Sequence, residues 1–329
     1  MTFTPELPVA STGSFREIAP VVSVIVPSYN AAPFIEETLN SIFAQTYRDY
    51  EVIVVNDGSP DTPKLERVLA PYQNRIAYIK QENRGPAGAR NTGIRHAHGE
   101  FLAFLDSDDI WLPEFLERQL NFFRENPSFD LVCADCVYFG DTTLQGKSWQ
   151  SLDPIEPPVT WEKILPRYGG AFPSFVLVRR QIVSKVGFFD QESSPLEDYN
   201  YWLRLLYCGG KWAYHPKVLG RRRVHSQSLT YDHDVVIPTA ITALQRFATI
   251  LNLSGREATL VEKEIAIARS RLALKHGKER LAVYDYLGAR KFFAQANAAV
   301  ASRKVRLTLI GLRWAPQWTR WALLRANNT

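Results

Sequence analysis

The chain has 329 residues, is 46% hydrophobic and 22% charged, and has a net charge of +5. That balance suits one large or two modest globular domains and excludes a disordered chain. No run of 18 apolar residues occurs, so no helical membrane span is expected, and the opening MTFTPELPVASTGSF has neither the basic start nor the apolar stretch of a signal peptide.

Residues 1–20 therefore read as a flexible polar lead. From 21 to 110, VVSVIVP (21–27), EVIVVND (51–57), IAYIK (76–80) and FLAFLD (101–106) are short runs rich in Val, Ile and Phe with little polar alternation. Such runs predict strands covered on both faces, as in a parallel sheet. Between the first two, Phe34, Ile35, Leu39, Ile42 and Phe43 recur at helical spacing behind Pro33. The alternation predicts βαβ units and a doubly wound α/β sheet with right-handed crossovers.

From 111 to 235 the pattern is mixed. WLPEFLERQLNFFRENP predicts a helix ended by Asn126-Pro127, and LVCADCVYF a strand. Cys133 and Cys136 within it make a C-x-x-C spacing. A structural zinc site needs four ligands, and residues three apart on a strand point to opposite faces, so they are expected to be small half-buried side chains. A Pro-, Gly- and Ser-rich loop is expected over 140–158. SFVLVRR then predicts a strand, EDYNYWLRLLYCGG a helix stopped by glycines, and VLGRRRVH a strand. From 236 onward two helical stripes follow: Ile237, Ile241, Leu244, Phe247 and Leu251, then Val261, Ile265, Ala268 and Leu272. The expected division is thus a lead over 1–20, an α/β domain over 21–235 made of an alternating half over 21–110 and a mixed half over 111–235, and a helical region over 236–329.

Three predicted strand ends carry unusual polar clusters: VPSYN (26–30), VNDGSPDT (55–62) and DSDD (106–109). Ligands of open α/β sheets sit outside the carboxyl ends of the strands, so the three clusters define one cleft. A dinucleotide fingerprint is excluded because VPSYNAAPF contains no glycine, and a Walker A loop because Ile94 follows Gly93 where lysine is required. An EF-hand starting at Asp106 fails at Ile110 and Trp111. A carboxylate pair for a hard divalent cation, Mg²⁺ or Mn²⁺, completed by substrate phosphates, survives these tests. Without a ligand, such a crowd of carboxylates is expected to be poorly ordered.

In order, SVIVPSYN, VVNDGSPDT, NRGPAGARNTGIRHAHGEFLAFLDSDD, PLEDYNYWLRL and RRVHSQSLT resemble glycosyltransferase family 2, over about residues 21 to 230. The resemblance implies the GT-A fold, a Rossmann-like, mixed but mainly parallel sheet flanked by helices, here with a helical C-terminal extension. It also implies an inverting, nucleotide-sugar-dependent transferase. On that basis Pro27, Ser28 and Tyr29 would line the base pocket. Asp57 would accept from the imide N–H of uracil or thymine, with an Asx-turn before Gly58-Ser59 as the compatible structural reading. Gly88 and Arg90 would lie near the nucleotide.

The same resemblance makes Asp106 and Asp108 the D-x-D pair, Asp106 toward the ribose and Asp108 on the metal. Asp198 becomes the general base, with Glu197 orienting the acceptor, although a carboxylate pair at a helix start also suits capping and the macrodipole. His225, flanked by Arg223, Ser226 and Ser228, becomes a metal ligand, and Arg223 a phosphate contact. His96 and His98 have no catalytic part. The donor leans toward a UDP- or dTDP-sugar, and the acceptor is a sugar or lipid-linked sugar, as in bacterial-type polysaccharide or glycolipid assembly.

Two other readings compete. A nucleotidyltransferase would want a Gly- and Lys-containing phosphate loop after the first strand, which is absent. A non-catalytic scaffold would act through its helical C-terminal region.

From Ala301 to Thr329 there are six basic residues and no acid, with Trp314, Trp318 and Trp321 among them. That profile suits an anionic membrane surface contacted through 303–329, or a helix docking on the chain's own apolar surface. The rest of the chain is nearly balanced in charge, which argues against nucleic acid. The expected location is cytoplasmic, peripheral on the inner membrane face if that segment binds lipid.

Overall fold

The computed structural model describes residues 19–225 and 233–325. The expected lead (1–20), apart from its last two residues, and Ser226 and Ser228 lie outside the described residues. The chain divides into two compact units, up to residue 231 and from 232 on.

The first unit is built on one eight-stranded sheet. Its strands are β1 (Val22–Ser28), β2 (Tyr50–Asp57), β3 (Ala77–Gln81), β4 (Phe101–Phe104), β5 (Ile110–Trp111), β6 (Leu131–Gly140), β7 (Val176–Arg179) and β8 (Trp212–Val224), in the order β3-β2-β1-β4-β7-β6-β8-β5. Pairs β1·β2, β2·β3, β1·β4 and β6·β8 are parallel, while β4·β7, β6·β7 and β5·β8 are antiparallel. The sheet is therefore mixed and mainly parallel. Val22, Val24, Ile25 and Val26 of β1 are all fully buried, which is why this strand reads as an unbroken apolar run.

The helices are α1 (Ile35–Phe43), α2 (Thr62–Leu69), α3 (Gly85–His96), α4 (Phe115–Glu125), α5 (Trp149–Leu152), α6 (Trp161–Ile164), α7 (Arg180–Val186) and α8 (Glu197–Tyr207). α1 and α4 are amphipathic and bury one stripe each: Ile35, Leu39 and Ile42 in the first, Phe115, Leu116, Leu120 and Phe123 in the second. α3 is different. Its residues from Ala87 to Ile94 are all buried, and a Cβ on Gly93 would overlap the Ile25 side chain of β1. Small residues bring this helix down onto the sheet without an intervening layer.

Several boundaries differ from the sequence reading. β8 begins at Trp212, six residues before the expected 218, through a stretch containing Pro216 and a register shift against β6. The 140–158 segment contains α5, whose Trp149 is buried. Cys133 and Cys136 are completely buried rather than half-buried, because β6 lies inside the sheet between β7 and β8. Burial pushes both thiols above their usual pKa.

The second unit holds α9 (His233–Ile250), α10 (Gly255–Ala282), α11 (Tyr286–Ala299), α12 (Arg303–Trp314) and α13 (Pro316–Arg325). Leu244 and Phe247 of the first predicted stripe are buried, as are Val261, Ile265 and Ala268 of the second. Ile237, Ile241, Leu251 and Leu272 are only half-buried. No helix among the described residues is long and apolar enough to cross a membrane.

Candidate active site

Strand order turns at β1: the chain leaves β1 for β2 on one side, and β4 returns on the other. The crevice at such a point, beyond the carboxyl ends of the strands, is where open α/β sheets take ligands. The three polar clusters are all there, at the ends of β1, β2 and β4.

At the end of β1, Ser28 is 1% exposed, Pro27 half-buried and Tyr29 50% exposed. The turn that follows is held from the β2 end. The Asn30 backbone N–H donates to Ser59 Oγ at 2.7 Å, and that of Ala32 to Asp61 Oδ2 at 2.9 Å. The turn after β2 is closed by Asn56 rather than by the Asx-turn expected at Asp57: Asn56 Oδ1 accepts from the Ser59 N–H, three residues on, at 2.9 Å. Successive strand residues face opposite ways, and Asp57 points instead to the start of α3. Its Oδ1 accepts from Gln81 Nε2 at 2.6 Å and from the Arg84 N–H at 2.9 Å. Among the described residues, no donor reaches its Oδ2.

Arg90 links the two acidic motifs. It lies in α3, 4% exposed. Its Nη2 donates to Asp106 Oδ1 at 2.7 Å and its Nη1 to Glu197 Oε1 at 2.6 Å. Burial alone would favour discharge of the guanidinium, but Asp106, Glu197 and Asp198 outweigh it and raise its pKa. The planar fork suits this task, because two nitrogens on one rigid group address two carboxylates. Gly88, two residues earlier, packs against the side chains of Arg84 and Gln191, which leave no room for a Cβ.

The carboxylates of DSDD are partnered within the chain. Each is tied to a different element. Asp106 meets Arg90, and its backbone N–H donates to Ser174 Oγ at 3.1 Å. Asp108 Oδ2 lies 2.9 Å from His225 Nε2, and the imidazole stacks on Phe34 with centroids 4.8 Å apart. Asp109 is 4% exposed and accepts the Arg223 N–H at 2.8 Å. Its burial, with Asp108 and Asp106 nearby, pushes its carboxyl well above the usual range.

Arg223 braces this turn. Its Nε donates to the Asp108 carbonyl at 2.8 Å and its Nη2 pairs with Glu37 of α1. The guanidinium carbon also lies 5.1 Å from the Phe34 ring centre and 4.4 Å from that of Phe139.

Glu197 and Asp198 occupy the first turn of α8, whose N-cap is Leu196, so neither is the cap itself. Negative charge there is still favoured by the helix dipole. Glu197 is 3% exposed and spent on Arg90. Asp198 is half-buried, and its Oδ1 accepts from the Tyr199 N–H at 2.7 Å. Burial, and then the adjacent Glu197, raise the Asp198 carboxyl to about 7 against the opposing pull of Arg90.

His96 and His98 lie elsewhere, His96 Nδ1 against the Thr92 carbonyl in its own helix and His98 against Glu51. Sequence reasoning missed Asp109, Ser174, Phe34 and Glu37. Of these, only Asp109 had a signal, as the last of four residues in an acidic run.

A divalent cation can be tested against this donor set. Asp108 and His225 offer a carboxylate and an imidazole on adjoining elements, 27% and 21% exposed, which suits a hard or borderline metal with oxygen ligands from substrate. Among the described residues, no three His, Cys, Asp or Glu side chains gather as a complete metal cluster. Ser28 Oγ, Arg90 Nε and Glu197 Oε2 are buried and have no hydrogen-bond partner among the described residues. Three orphaned polar atoms around one crevice fit a polar ligand.

Comparison with known proteins bears on the family and the fold. The model of the family "Glycosyl transferase family 2" matches residues 23–187. A protein of Rickettsia typhi described as an uncharacterized glycosyltransferase is 33% identical over 258 residues, covering 76% of each chain. The Escherichia coli UDP-Glc:alpha-D-GlcNAc-diphosphoundecaprenol beta-1,3-glucosyltransferase WfgD is 34% identical over 188 residues, 56% of this chain and 70% of that one. Among solved structures, S. aureus TarS 1–349 in complex with UDP-GlcNAc superposes with a TM-score of 0.60 at 23% identity, covering 89% of this chain and 87% of that one. The fold is GT-A, and the chain belongs to glycosyltransferase family 2, whose members transfer sugars from nucleotide donors.

Proposed function

We propose that this protein is an inverting, metal-assisted glycosyltransferase that moves a hexose from a nucleoside diphosphate donor to an acceptor hydroxyl. The carrying observation is Arg90, which holds the D-x-D carboxylate Asp106 and the acceptor-side carboxylate Glu197 on one guanidinium. Donor and acceptor machinery are thereby kept within one side chain's reach of each other.

In this reading Ser28 and Tyr29 flank the base, and Asp57 accepts the imide N–H of a uracil or thymine through Oδ2. Asp106 faces the ribose. Asp108 and His225 would hold Mn²⁺ or Mg²⁺, which when bound neutralises charge on the departing diphosphate. Arg223 keeps the turn that carries Asp108 in place. Asp198 takes the proton from the acceptor hydroxyl as its oxygen attacks the anomeric carbon. The bond from that carbon to the diphosphate oxygen breaks, its electron pair leaves with the nucleotide, and one in-line displacement inverts the centre. A carboxyl near 7 is well matched to that work at neutral pH. Glu197, fixed by Arg90, sets the start of α8 and hence the aim of its neighbour.

The acceptor class we infer is a polyprenyl-diphosphate-linked sugar, as in polysaccharide or glycolipid assembly, supported by the name of the Escherichia coli relative. The test is transfer from UDP-, dTDP- and GDP-sugars to a polyprenyl-diphospho-GlcNAc acceptor, with Mn²⁺, Mg²⁺ or EDTA, and the product anomer read by NMR. A product with the donor's configuration inverted, formed only with metal, supports the reading. A retained configuration, or equal turnover in EDTA, overturns it.

A further inference from the structure

Helix α12 is apolar on two opposite sides. Val305 and Leu312 face inward, 7% and 5% exposed, and complete a core with Leu281, Ala289 and Phe293. At about 100° per residue, Leu307, Ile310 and Trp314 fall within about 60° of one another on the far side. They are 68%, 56% and 76% exposed. An ordinary surface helix has a single apolar stripe and a polar remainder.

The outer stripe has a basic frame. Arg306 and Arg313 flank it on one side, Lys304 on the other, and all three are exposed. The sequence has no acidic residue from 301 onward. α13 adds Trp318 and Trp321, 73% and 50% exposed, with ring centroids 6.0 Å apart. These rings are held outward by anchors on the inner side. Gly311 lies against Thr319, and Arg320 Nε donates to the Leu281 carbonyl near the end of α10 at 2.8 Å.

We propose that the outer face of α12 and α13 docks on an anionic lipid bilayer. The leucine, isoleucine and tryptophan side chains enter the headgroup boundary and the arginines and lysine meet lipid phosphates. Tryptophan beside basic residues is the composition that such interfaces favour. Charge also decides against a second copy of this chain. A two-fold contact sets the same patch against itself, which would bring two acid-free basic frames together.

This proposal does not depend on the transfer reaction and is tested without it. The full chain is floated with vesicles of phosphatidylglycerol mixed into phosphatidylcholine, and with phosphatidylcholine alone. The expected result is flotation with the anionic vesicles, weakened at high salt, and at least tenfold less with the neutral ones. The double variant R306Q/R313Q should lose about 25-fold in partition, about fivefold for each basic side chain near an anionic leaflet. W314S/W318S should lose flotation as well. Both variants change exposed positions, so unaltered circular dichroism is expected. Failure of the full chain to float with anionic vesicles overturns the proposal, as do variants that float as the parent does. Sedimentation velocity in which these variants dissolve a dimer of the parent also overturns it.

Discussion

In the stretch from Asp106 to Asp109, each carboxylate meets a partner from a different part of the chain: Arg90 of α3, His225 beyond β8, and the backbone of Arg223. In the pair Glu197–Asp198, among the described residues, the first is hydrogen-bonded to a cation and the second accepts a single backbone N–H. Both stretches crowd like charge into a few positions. The difference lies in which partners the surrounding elements supply: burial raises one carboxyl in each stretch, Asp109 well above the usual range and Asp198 to about 7, but Asp109 is closed over while Asp198 stays half-buried at the crevice. Crowded acids at a strand end are tied down from several sides, while of a crowded pair at a helix start one is anchored and the other keeps a half-exposed carboxyl, the group proposed above as the base.

The largest expected effect falls on the group without a cation. Asp198→Asn should lower turnover by roughly 10²- to 10⁴-fold, the usual worth of a positioned general base, with nucleotide affinity unchanged in a titration. Retained turnover would erase the contrast between the two stretches. The parent enzyme's kcat/KM should rise as pH passes through about 7, where Asp198 ionises. Stability should move the other way. The folded carboxyl holds its proton up to about 7, whereas an unfolded aspartate releases it near ~3.9. The folded state therefore binds more protons across that window, and its stability falls as pH rises through it. Asp198→Asn should melt above the parent at pH 8 and level with it near pH 4.

Next in size is the shared cation. Arg90→Met leaves Glu197 buried and unpaired, which should destabilise the first unit by about 3–5 kcal/mol in urea unfolding. Arg90→Lys should recover only part of that, because an ammonium cannot fork between two carboxylates. A smaller change is expected at the open pair. Asp108→Asn and His225→Ala should each weaken Mn²⁺-dependent UDP binding more than ~10-fold, the lower bound for even an outer-shell partner of a metal. Binding without metal should hardly move, as isothermal titration would show. The smallest effect belongs to Glu37→Gln. Its pair with Arg223 is exposed on the Glu37 side, so a loss under about 1 kcal/mol is expected in thermal melts.

The sheet and its polar crevice were legible because buried parallel strands leave a plain record: apolar runs ended by VPSYN, VNDGS and DSDD. What joins those ends was not. Arg90 and Glu197 are 107 positions apart, and nothing local to either stretch announces the other. Asn56 and Asp57 are both able to accept from the turn that follows, and strand alternation, which is invisible in composition, gave that task to Asn56. Asp109 reads as one more solvated acid until Ser174 and the Arg223 backbone close over it. The C-terminal tryptophans were visible in the sequence, but one helix with two apolar sides is seen only once Val305 and Leu312 are known to face inward.

The Arg90 bridge bears on how such enzymes can be recombined. A chimera that joins residues 21–110 of this chain to the later half of another transferase inherits a buried guanidinium whose second carboxylate comes from outside the transplanted piece. Unless the incoming half presents an acid where Glu197 stands, the graft carries an unsatisfied charge at its centre. The two halves of this sheet are thus not free to be swapped at will, since each carries part of one buried ion pair.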